Sequence, residues 1–103
     1  MTREWEDASR AGDLVRVRAL LDAGAKIDAL DRYNQTALMH AAHRGDLPLV
    51  KLLVERGANL EIRAKHNLSA LDLARIGRHE HVIQALLEAG AESRPLDWRF
   101  GGV

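Results

Sequence analysis

Displaced by 33 positions, the sequence lies over itself, and this periodicity limits the fold more than any other feature. Gly12 falls on Gly45, and Gly24, Gly57 and Gly90 form a second series, each followed by alanine in "LLDAGA", "LLVERGA" and "LLEAGA". Val17, Val50 and Ile83 share a register position, as do Leu20, Leu53 and Leu86, then Leu21, Val54 and Leu87. Asn34 meets Asn67, Thr36 meets Ser69, and Leu38 meets Leu71. Isolated glycine matches carry little weight, whereas this many in one register identify a repeated supersecondary unit. The units run over about 1–30, 31–63 and 64–94, forming one domain over 1–94, with 95–103 left as a C-terminal tail.

Each unit reads as two short helices. In "QTALMHAAHRGD" the pattern predicts a helix from about Gln35 to Arg44, with Leu38, Ala41 and Ala42 on one side. Gly45 ends it, because a residue without Cβ enters the left-handed region at no steric cost. Asp46 is a good N-cap for the next helix, and Pro48 is tolerated in its first turn. Leu49, Val50, Leu52 and Leu53 then form an apolar stripe that Gly57 closes. The segment "ANLEIRAKHNL" is polar and turn-like, with Asn67 suited to a positive φ. The same grammar predicts helices near 3–11, 14–22, 69–76 and 80–88. A helix pair this small cannot bury its own apolar face, so neighbouring units must stack into a continuous core.

A 33-residue helix–turn–helix unit carrying "TALMHAAHRGD" and "LVKLLVERGAN" resembles the ankyrin repeat. That signature opens Thr-Pro-Leu-His-x-Ala-Ala, passes through a Gly and ends Leu-Leu-x-x-Gly-Ala. Thr36, Leu38, Ala41, Ala42, Gly45, Val50, Leu53, Gly57 and Ala58 hold matching positions, and the resemblance spans about residues 5–94. It implies an all-α solenoid of stacked helix–turn–helix units joined by β-hairpin-like turns. Several positions depart from the signature. Its proline is Ala37 and Ala70 here, and its histidine is Met39 and Asp72. Trp5 takes the leucine's place in a first unit that lacks the preceding hairpin. Arg78 stands where glycine is expected, with Gly77 one residue early, so the pattern is weakest at the third unit's helix–helix turn.

Composition narrows the chemistry. Fifteen basic and fifteen acidic residues cancel, whereas a protein that grips nucleic acid usually shows a basic stripe. The absence of cysteine removes disulfide frameworks, thiolate zinc sites and cysteine nucleophiles. The charged start "MTREWEDASR" lacks the apolar core of a secretory signal, and no run approaches the length needed to span a bilayer. A cytoplasmic protein that binds neither nucleic acid nor membrane is therefore expected. His40 and His43 stand three apart beside Arg44, but zinc helices use a spacing of four with a glutamate partner, and no carboxylate stands beside this pair. His79 and His81 flank Glu80 at a helix start and read as solvated. Glu4, Glu6 and Asp7 crowd the first turn of a helix, where negative charge complements the dipole. No nucleophile, base and acid converge in this register, so neither an enzyme nor a cofactor is expected.

The resemblance implies instead a surface for a protein partner, made of hairpin tips and the concave side of each unit's first helix. By register, the middle hairpin contributes Leu30, Arg32, Tyr33 and Gln35, and the next contributes Lys65, His66 and Leu68. The helical face contributes Asp7 and Arg10, then His40, His43 and Arg44 held outward, then Leu73 and Ile76. Tyr33 and the arginines belong to the residue types enriched at binding hot spots. In the tail, Pro95 interrupts the helical grammar, and Leu96, Trp98 and Phe100 alternate with polar residues. The tail is expected to fold back over the last unit. The rival reading is weak homo-oligomerisation or partner binding through that arm.

Overall fold

The computed structural model describes residues 2–91; the Lys65 side chain and the expected capping role of 95–103 lie outside the described residues. Its helices begin where short polar side chains can catch a backbone N–H. Thr2, Asp13, Thr36, Asp46 and Ser69 precede α1 (Arg3–Ala11), α2 (Leu14–Asp22), α3 (Ala37–Arg44), α4 (Leu47–Glu55) and α5 (Ala70–Ile76). Each accepts the N–H three residues on, satisfying one of the orphan donors of the first turn. Before α6 (Glu80–Glu88) stands His79, whose side chain makes no such bond.

The six helices pair as α1–α2, α3–α4 and α5–α6, and the pairs stack so that α1, α3 and α5 form one layer and α2, α4 and α6 another. Trp5, Leu38 and Leu71 are equivalent in the repeat and all buried, as are Val17 and Val50. Leu53 and Leu86 are fully buried too. The core therefore runs along the stack instead of closing within one unit, as the repeat demands. Central α3 buries Ala37 and Met39 in addition to the three residues expected, because a unit covers it on either side. It starts at Ala37, two residues later than expected, since Thr36 adopts the extended backbone of an N-cap. Among the described residues there are no strands, and two hairpin-like fingers close with single backbone bonds. The Asp31 N–H donates to the Gln35 carbonyl at 2.9 Å, and the Ala64 N–H to that of Leu68 at 2.8 Å.

The third unit's turn keeps register at the position where the sequence departs from glycine. Arg78 takes φ 58°, close to the 75° of Gly45, while Gly77 stays right-handed at φ −80°. The turn is closed by the same backbone bonds as in the earlier units, the Arg78 N–H donating to the Arg75 carbonyl and the His79 N–H to that of Ala74, each at 3.0 Å. His79 itself is half-buried, correcting the expectation of a solvated helix start. Its ring is wedged against Gly45 and Gly77, where a Cβ would lie within 2.7 Å and 2.6 Å of it. The Nε2–H donates to the His43 carbonyl at 2.9 Å, joining the second unit to the third. Between the first two units Arg44 serves this purpose, donating to the Ser9 carbonyl at 3.0 Å and pairing with Asp46 at 3.3 Å beside Gly12.

Candidate interaction surface

The first finger is built around one buried acid. Asp31 accepts from the backbone N–H groups of Tyr33 (2.8 Å) and Gln35 (3.0 Å) through Oδ1, and from His40 Nε2–H (2.6 Å) through Oδ2. Its side chain has no exposed surface. Burial alone would push this carboxyl up; the Gln35 N–H, the His40 ring, the Tyr33 N–H and the His40 charge outweigh it and hold the group below the usual aspartate range. The finger is thereby pinned to α3 from its base. His40 is accordingly drawn inward, its side chain 19% exposed, which corrects the expectation that it is held outward and that no carboxylate stands beside it. Gln35 contributes mainly backbone, through its bonds with Asp31.

Above this anchor the tip projects Tyr33, 55% exposed, with the Arg32 guanidinium carbon 5.7 Å from the ring centroid. Arg32 also reaches Glu6 of α1 at 3.5 Å, and the same carboxylate oxygen holds Arg10 at 3.1 Å. Arg10 and Arg32 thus gather around Glu6, which sequence reasoning treated only as a helix-dipole residue, and Tyr33 lies against Arg32. The four-residue spacing from Glu6 to Arg10 on a helix was the signal available for it. Exposed ion pairs of this kind add little stability; what they do is bring two guanidinium groups, one of them beside the Tyr33 ring, to a single carboxylate.

The remaining residues divide between unit and edge. Arg10, His43 and Ile76 repeat at the same register position, all are exposed, and Ile76 is 56% open to solvent. Arg44 is exposed but tethered to the first unit, as described above. Leu30 is exposed beside the tip. In the second finger His66 takes φ 65° and Asn67 φ 61°, so two residues, not Asn67 alone, turn left-handed there, and His66 projects to solvent. Leu68 is half-buried and packs on the core, and Leu73 is buried, a correction to its place on the open face.

Chemically, the surface offers fixed cations, an aromatic ring and isolated apolar side chains. Among the described residues no three metal-ligating side chains converge, and no helix is long and apolar enough to cross a membrane. A family model described as ankyrin repeats, in three copies, matches residues 6–97. No curated protein matches the chain.

Proposed function

The chain belongs to the ankyrin-repeat family, and on that premise we propose that it is a non-catalytic module whose first finger and first-helix row hold a protein partner. Ankyrin repeats are in general protein–protein interaction units. The observation that carries the site assignment is the pre-organised tip: Tyr33 under Arg32, above an acid that is fully buried and saturated with hydrogen bonds. A tyrosine ring offers a large contact area with few rotamers to lose, and Tyr and Arg are both enriched at hot spots. Arg10, His43, Arg44, His66 and Ile76 extend the contact along the stack. Leu30 borders it, while Gln35, His40 and Leu68 support it from within.

The test is to capture the partner from the native host with the full chain and then measure its dissociation constant against point variants. Tyr33→Ala is expected to weaken binding about tenfold or more, with the melting temperature unchanged. Arg44→Ala should weaken it less and also loosen the first interface. Unchanged affinity for Tyr33→Ala would move the site off the finger.

A further inference from the structure

Among the described residues, acids and arginines are matched in different ratios along the stack. Before α4, Arg44 pairs with Asp46 at 3.3 Å. In the second finger one arginine meets two acids, Arg63 lying 3.4 Å from Asp72 and 3.8 Å from Glu61. At the first finger the ratio is reversed. One oxygen of Glu6 receives Arg10 Nη1 at 3.1 Å and Arg32 Nη2 at 3.5 Å, so two guanidinium groups share a single negative charge. The shared acid also lies beneath its cations: the Glu6 side chain is 14% exposed, those of Arg10 and Arg32 49% and 69%. This spot therefore turns positive charge toward solvent. Of the other acids on α1, Asp7 follows Arg3 at the spacing of a helical ion pair, and Glu4 stands more than a turn away from Arg10.

We infer that Arg10 and Arg32 together seat an aspartate or glutamate side chain of the protein partner, which makes that partner one with an acidic residue beside an apolar one. The inference rests on the binding role proposed for the first finger and adds the partner's chemistry. The two Nη atoms can be no further apart than their two distances to the Glu6 oxygen combined, so one incoming carboxylate can bridge them. A guanidinium carries five N–H donors in a planar fork that matches a carboxylate, and such charge-assisted bonds are stronger than neutral ones. Tyr33, exposed against Arg32, and Leu30, exposed beside the tip, give the neighbouring apolar side chain a surface to cover. The second finger offers no equivalent seat, because a carboxylate approaching Arg63 would meet Asp72 and Glu61 already there. Like-charge contact of that kind is unfavourable. The partner's acid is thereby directed to one finger, which sets its register along the stack.

The probe is a phage library of random peptides, selected at low salt on the immobilised full chain. Enriched peptides are expected to carry Asp or Glu well above the starting library, beside an apolar residue. For a synthetic copy of one such peptide, changing its acid to the amide should weaken binding about tenfold or more, and so should Arg10→Gln with Arg32→Gln in the chain. Making both changes together should cost little beyond either alone, because each removes the same contact. Arg10 and Arg32 are exposed, and an unchanged thermal melt verifies that the double variant folds. A peptide lost on Tyr33→Ala but indifferent to the double variant overturns the carboxylate seat and leaves the finger assignment standing. A selection that yields no acid-bearing binder overturns the seat as well. A peptide indifferent to Tyr33→Ala and to the double variant alike overturns both the seat and the finger.

Discussion

The two fingers occupy the same place in the repeat and bury a carboxylate by opposite routes. In the first, the acid lies in the loop: Asp31 reaches His40 on α3. In the second, the positions 33 residues on are Ala64 and Leu73, both apolar, and the acid has moved onto the helix as Asp72. Asp72 accepts from Ser69 N–H at 3.0 Å and Ser69 Oγ–H at 3.2 Å, closing a capping box, and receives Arg63 from the loop at 3.4 Å. The equivalents of Asp72 and Arg63 in the first finger are Met39 and Leu30. One finger thus carries a polar pair where the other carries an apolar one, at two separate pairs of positions. The repeat conserves the need to tie loop to helix, and leaves open which side supplies the charge.

Core truncation should not distinguish the two units, and it sets the scale. Leu53→Ala and Leu86→Ala are each expected to cost about 2–5 kcal/mol by urea unfolding, since both side chains are fully buried and leave cavities. A loss under about 1 kcal/mol at either would mean that the shared register does not describe the packing.

The fingers themselves are separated by exchanging their solutions. Asp31→Ala removes the acceptor for His40 and two backbone N–H groups, and should cost about 1–3 kcal/mol. Installing the second finger's pair, Asp31→Ala with His40→Leu, should cost less than the sum of the single changes, because neither member of the Asp31–His40 pair is then left without the other, while the Tyr33 and Gln35 N–H groups lose their acceptor in both the single Asp31 variant and the double. Strict additivity would show that the two side chains act independently despite their 2.6 Å contact. The same carboxyl adds a pH test. Its folded value lies below that of the unfolded chain, about 3.9. Its stabilisation is therefore present above about pH 4 and is lost as pH falls through the folded value. The stability gap between the native chain and Asp31→Ala should hold from pH 7 to about pH 4 and narrow below that.

The smallest effect belongs to the turns. Arg78 adopts the left-handed conformation that Gly12 and Gly45 adopt at equivalent positions. Arg78→Gly should raise stability by about 0.5–1 kcal/mol, the left-handed penalty less the added freedom of the unfolded chain. A decrease on thermal melting would show that the guanidinium makes compensating contacts worth more than the strain.

Six helices and the fingers were legible from residues 2–91 because each depends on chain neighbours a few positions apart; of the caps, Asp46 reads as one, whereas Thr36 and Ser69 fall inside the helices expected from the pattern. A Thr, Ser or Asp cap needs only the N–H three residues on, and Gly12 or Gly45 needs only its missing Cβ. The candidate surface was legible in part. Tyr33 and Arg32 sit at a tip wherever the turn is placed, but His40 could not be assigned from its helix alone. Its partner stands nine residues away across a finger, and whether the ring turns out to solvent or in to Asp31 depends on how that finger folds onto α3. Glu6 meets Arg10 within its own helix, but it gathers Arg32 only once the second unit is laid on the first. His79 finds the His43 carbonyl only across a stacked interface. Local conformation is settled by sterics and capping within a turn of chain. The pairing of buried polar groups is settled by which surfaces stacking removes from water, and only the tertiary structure decides that.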